Sequence, residues 1–205
     1  MMPLAGRRLW ITRPIEQSQY LSAALLEQGA EVNTLPLLLI APLADPSELK
    51  GVLARLGEFD LAVAISPSAL DHVFAALNAP WPADLPVAVV GPGSAARARE
   101  LGVQRVISPA AQFDGAGLLA SSELQQLKPQ RVVIFRGNGG RDILPAGLRA
   151  MGADVTLVSA YQRLAPQLNA AQIDALLTPR CDGVIISSSE AAQHMHTLAG
   201  GQAWQ

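Results

Sequence analysis

Arginines, hydroxyls and glycines collect at five short turns of this 205-residue sequence, each directly after an apolar stretch. They are Thr12-Arg13-Pro14, Ser66-Pro67-Ser68, Gly91-Pro92-Gly93-Ser94, Arg136-Gly137-Asn138-Gly139-Gly140-Arg141 and Ser187-Ser188-Ser189. Serine caps helices and glycine makes turns in any α/β protein, so one such loop says little. Five loops of one character suit an anionic ligand, held by backbone N–H groups, hydroxyls and guanidinium groups.

Other chemistries fit less well. Gly91, Gly93 and Ala96 reproduce a G-x-G-x-x-A dinucleotide fingerprint between a strand and a helix. The next strand ends at Ile107-Ser108-Pro109 with no acidic residue to hold a ribose, which argues against nicotinamide or flavin. The only lysines, Lys50 and Lys128, follow no glycine-rich loop, so a P-loop fits worse still and most Schiff-base lysine mechanisms are removed. His194 and His196 stand two apart, on different faces of a helix, with no Cys or carboxylate cluster nearby; they read as surface histidines, and no metal is expected. No G-x-S-x-G elbow and no carboxylate pair occurs among the loops, which leaves a site that binds more than it attacks.

The elements that must position these loops occur twice. Residues 10–38 lie without a gap over 133–161, pairing Arg13 with Arg136, Leu21 with Leu144, Leu25 with Leu148, Gly29 with Gly152 and Val32 with Val155. After a one-residue slip, 59–73 lie over 181–195, pairing Asp60 with Asp182, Ser66 with Ser188 and His72 with His194. An offset of about 123 residues is a duplicated domain, since solenoid units run about 20 to 50. Each copy opens with an apolar strand (9–12 or 132–135) and continues into an amphipathic helix closed by Gly29 or Gly152 and a second strand (31–35 or 154–158). Further strands are expected at 61–65, 87–90, 105–107 and 183–186. Strand, helix, strand with short connections gives parallel pairing, and the fold class is α/β with two doubly wound parallel sheets. The first copy continues beyond Val73 into a stretch the second lacks, so the second is expected to be missing its C-terminal part, a complete chain running to about 250 residues.

Composition agrees with a globular protein: half the residues are hydrophobic, 16% are charged and the net charge is −2, without a basic surface for nucleic acid. Arg7 and Arg8 lead into a strand-like segment rather than a signal peptide, and no apolar run has transmembrane length. The single cysteine, Cys181, suits a reducing cytoplasm.

The ITRP opening, the SPSA strand end, the VVGPGSA turn, the block RGNGGRDILPAGLRAMGADVTLVSAYQR and the DGVIISSSEA segment together resemble uroporphyrinogen-III synthase across nearly the whole chain. The resemblance implies two domains, 1–38 with 164–205 and 39–163, joined by linker strands near 37–42 and 160–165, with the ligand cleft between them. It implies a monomer without cofactor or metal that closes hydroxymethylbilane, a linear tetrapyrrole, to uroporphyrinogen III with inversion of the last ring. Carried onto this sequence, Tyr161 is the catalytic residue, placed near the departing hydroxyl; Ser66, Ser94, Ser188, Gly137 and Asn138 match positions that bind substrate. Arg13, Arg136 and Arg141 are the cations expected to hold its carboxylates. A non-catalytic module for a tetrapyrrole, or for another anionic metabolite such as a nucleotide, is the alternative.

Overall fold

The computed structural model describes residues 2–139, 142–177 and 181–198. In chain order the elements are β1 (Arg8–Ile11), α1 (Ile15–Glu27), β2 (Glu31–Thr34), β3 (Leu39–Ala41), α2 (Ser47–Leu53), β4 (Leu61–Ala64), α3 (Pro67–Ala76), β5 (Val87–Val89), α4 (Pro92–Glu100) and β6 (Val106–Ile107). There follow α5 (Gly115–Leu119), α6 (Ser122–Leu127), β7 (Arg131–Gly137), α7 (Ile143–Ala150), β8 (Asp154–Leu164), α8 (Ala170–Leu177), β9 (Gly183–Ile185) and α9 (Ser189–Leu198). The chain divides into two compact units, 1–40 with 163–205, and 41–162.

In the first unit β2, β1 and β9 form a parallel sheet in that order, with Arg8 opposite Glu31 and Leu9 opposite Gly183. The second unit carries the larger sheet, ordered β3-β8-β7-β4-β5-β6, in which β8, β7, β4, β5 and β6 run parallel. Within it Arg131 lies opposite Asp154, at the sequence spacing of Arg8 and Glu31, and Val132 lies opposite Leu61 as Leu9 lies opposite Gly183 when the two sequence segments are aligned. Helix ends match as well. Gly29 and Gly152 have φ of +89° and +94°, and each lets the next residue, Ala30 or Ala153, donate back to the carbonyl of Leu25 or Leu148.

Burial explains why the strands of the second unit are nearly all apolar. Leu61, Val63, Val132 and Ile134 pack with Leu118, Leu124, Leu144 and Leu148 from α5, α6 and α7. The alternate residues Ala62, Ala64, Val133 and Phe135 are buried too, and α3 lies against β4 and β7 beside α2 and α4. Side chains on both faces are thus covered by helices, as a doubly wound sheet requires.

A carboxylate fastens the start of the central strand in each unit. Asp182 accepts the Arg8 N–H at 2.8 Å, with the Arg7 guanidinium at 3.2 Å, and Asp60 accepts the N–H groups of Gln130 and Arg131, each at 2.9 Å. The Arg8 N–H, and after it the Arg7 guanidinium, holds the Asp182 carboxyl below the usual carboxylate range. A carboxyl whose pKa is lower folded than unfolded stabilises the fold above its unfolded value near ~3.9, and that stabilisation is lost as pH falls through the folded value. Asp182→Asn is therefore expected to lower the urea midpoint at neutral pH, the gap from the unaltered protein closing as the titration enters the acid range. A gap of constant size at every pH would show that charge has no part in the clasp.

Candidate functional site

Parallel strands present their carboxyl ends, and the helix N-termini that follow them, on one side of a sheet. In the second unit this side gathers Ser66 after β4, Ser94 in the first turn of α4 after β5, Arg136, Gly137 and Asn138 at the end of β7, and Tyr161 on β8. In the first unit it holds Arg13 after β1 and Ser188 after β9. Arg141 lies outside the described residues.

Tyr161 is the centre of the larger group. Its side chain is 5% exposed, and its hydroxyl lies 3.2 Å from the Ser66 hydroxyl. The backbone around it is specific. Gly137 pairs with Tyr161 where a regular ladder would meet Ala160, a bulge that follows the Arg136–Ser159 pair. The Asn138 N–H then donates to the Tyr161 carbonyl at 3.2 Å, so the G-N turn is tied to the tyrosine strand through the main chain.

Ser66 is the N-cap of α3, where its hydroxyl accepts the Ala69 N–H at 3.1 Å. Ser188 plays the same part for α9, accepting the Ala191 N–H at 3.1 Å. Ser94 is buried near the start of α4, whose N-cap, Gly91, has no side chain to accept from that helix's first N–H groups. Arg136 is 18% exposed, and its nearest carboxylate oxygen, on Asp142, stands 3.8 Å from Nη1, too far for a hydrogen bond. That Nη1, like Nε of Arg13, is buried without a hydrogen-bond partner. Unmet guanidinium donors and uncapped amides at strand ends fit an anion that supplies the missing acceptors.

Two histidines depart from the sequence reading. His194 is not a surface residue: it is half-buried, its Nδ1 2.6 Å from the Leu37 carbonyl oxygen, because α9 packs that face onto the Leu35–Leu37 segment. His196 is exposed. His72 had no assigned role, yet its ring centre lies 5.5 Å from that of Tyr161. The signal available was its place six residues after a strand-end serine in both copies, which marks position but not partner.

The opposite ends of the strands hold a hollow of about 580 Å³ whose lining includes Asp60, Asp84, Arg105 and Lys128. Its acidic and basic groups offset one another, which does not suit a polyanion. No helix among the described residues is long and apolar enough to cross a membrane.

Comparisons with known proteins point to one family. Solved structures of uroporphyrinogen-III synthetase from Helicobacter pylori 26695 (TM-score 0.63, 15% identity, covering 94% of this chain and 78% of that one) and of a mutant uroporphyrinogen III synthase from the extreme thermophile Thermus thermophilus (0.61, 17%, 94% and 77%) share the fold. Uroporphyrinogen-III synthase of Escherichia coli K12 is 30% identical over 192 residues, 92% of this chain and 78% of its own length. The Proteus mirabilis enzyme of the same name is 33% identical over 157 residues, 75% of this chain and 79% of its own. The family model described as uroporphyrinogen-III synthase HemD matches residues 19–205. A parallel α/β chain with hydroxyls and unmet guanidinium donors at its strand ends, matched over almost its whole length, belongs to the uroporphyrinogen-III synthase family of cyclising lyases.

Proposed function

We propose that this chain closes hydroxymethylbilane to uroporphyrinogen III, with Tyr161 giving a proton to the departing hydroxyl. The observation that carries this reading is the buried Tyr161 hydroxyl, 3.2 Å from the Ser66 hydroxyl on the side of the sheet where β4 and β7 end. The phenol protonates the hydroxyl as its bond to carbon breaks, so water leaves and an azafulvene cation remains. The last ring attacks that cation through its substituted carbon, giving a spiro intermediate that reopens and recloses with the ring inverted. The proton then lost from the pyrrole carbon restores the phenol, so one water is released and the proton count closes. Much of the remaining work is positioning, which contributes several kcal/mol to catalysis when reacting atoms are held in contact.

Arg13, Arg136 and Arg141, with Ser94, Ser188, Gly137 and Asn138, are read as holding the acetate and propionate groups. The two units are read as copies of one ancestral unit. In support, β1, β2 and β9 repeat the order and registers of β7, β8 and β4. In this reading the domains are 1–38 with 164–205, and 39–163, with linker strands near 37–42 and 160–165.

The test is product identity. Hydroxymethylbilane closes spontaneously to the type I isomer, so incubation with this chain, followed by oxidation and chromatographic separation, is expected to give type III. Type I alone, at the rate seen without protein, would leave the alternative of a binding module.

A further inference from the structure

We propose that helix α3 aims the phenolic hydrogen of Tyr161 through two of its residues, Ser66 and His72, making both positioning residues for the proton transfer. The inference rests on Tyr161 as the proton donor and changes the part played by Ser66, from a contact to substrate into a contact to the catalytic phenol.

A serine hydroxyl has one hydrogen and two lone pairs. At the N-cap of α3 the Ser66 oxygen already accepts the Ala69 N–H at 3.1 Å with one lone pair, and in the proposed arrangement its hydrogen goes to the Tyr161 oxygen. The Tyr161 oxygen lies 3.2 Å away. A hydrogen donated by Ser66 occupies one phenol lone pair, and the phenol's own hydrogen is then free for the leaving hydroxyl. Accepting from an N–H also strengthens the bond that Ser66 donates, as in any chain of hydrogen bonds.

His72 fixes the ring that carries this oxygen. Its Nδ1 is 2.8 Å from the Ser68 carbonyl oxygen, which can only accept, so in this contact Nδ1 donates and the bond holds the imidazole in place. Held there, it packs on the Tyr161 ring with 5.5 Å between centroids and a tilt of 38°. The first unit shows the same serine and histidine without a phenol. There Ser188 caps α9 with the same bond length, but Leu38 occupies the position that matches Tyr161, and His194 reaches the Leu37 carbonyl instead. The cap is thus a property of the fold, while the packing of His72 on a phenol belongs to the second unit.

The experiment is a double-mutant cycle in steady-state kinetics on the full chain with hydroxymethylbilane. Ser66→Ala is expected to lower kcat about tenfold or more with KM nearly unchanged, the pattern of a lost transition-state interaction. Ser66→Thr, which keeps the hydroxyl, restores turnover. In a Tyr161→Phe background Ser66→Ala is expected to add no further loss, because the group it acts through is gone. Ser66→Gly, a residue that helix N-caps tolerate, repeats the comparison where Ser66→Ala folds poorly. His72→Asn, which keeps the bond to Ser68 but removes the ring, is expected to lower kcat alone and likewise to be silent in the Tyr161→Phe background. A raised KM at unchanged kcat in Ser66→Ala, or losses that multiply in the double variants, overturns the inference while leaving Tyr161 as donor. Unchanged turnover in Tyr161→Phe overturns both.

Discussion

Tyr161→Phe is expected to slow enzymatic formation of uroporphyrinogen III by about 10²–10⁴-fold, the usual contribution of a positioned general acid. The substitution removes one oxygen from a side chain that is 5% exposed and keeps the ring against His72. Only the bond to Ser66 is lost, at a cost to stability of about 1 kcal/mol. Folding is therefore retained, and circular dichroism should superimpose on that of the unaltered protein. Product analysis sharpens the result. With closure on the protein slowed, spontaneous reaction claims more of the substrate, and the proportion of type I isomer rises with it. A variant with full turnover and pure type III product would remove Tyr161 from the chemistry.

Arg136→Met is expected to raise KM by about 10- to 100-fold with a smaller effect on kcat. Hydrogen bonds to charged groups are worth about 1.5–3 kcal/mol, and a contact made equally in ground and transition states appears in KM. The same change should leave the protein as stable as before, or more so. Nη1 is buried without a hydrogen-bond partner and Asp142 stands at 3.8 Å, so the folded protein bears a desolvation cost that methionine, of similar length, does not. Denaturant midpoints and KM measured together make the check: weaker binding with undiminished stability marks a residue kept for its ligand. A fall in both would make Arg136 a structural residue instead.

Much of the fold could be read from the sequence because the strands of a doubly wound sheet are buried on both faces and stand out as apolar runs. LAVA in β4 and VVIF in β7 have no other plausible place, and Gly29 and Gly152 mark helix ends through a backbone conformation that favours glycine. Strand length was less visible. Asp154 to Leu164 forms one strand of 11 residues, although Ser159, Gln162 and Arg163 interrupt its apolar pattern; pairing with β7 carries it to Tyr161, and β3 is its neighbour on the other side. Among site residues, the strand-end hydroxyls are legible because position relative to a strand is local information. The contact between Ser66 and Tyr161 spans 95 residues and depends on β4 and β8 lying on either side of β7, an order that no local pattern encodes. The burial of His194 escapes the sequence for a related reason: its carbonyl partner on Leu37 is 157 residues away.

The unit formed by 41–162 is one unbroken run of chain, whereas the other is assembled from residues before it and after it. During synthesis β1 and β2 emerge first, but β1 cannot gain its second neighbour, β9, until more than a hundred further residues have left the ribosome. Closing so long a loop costs less entropy once the intervening chain is already compact. Folding is therefore expected to run from the middle outward, with the tyrosine strand in place while the early strand pair still waits for its partner. Agents that trap late folding intermediates should meet a formed interior and a sticky, half-built flank.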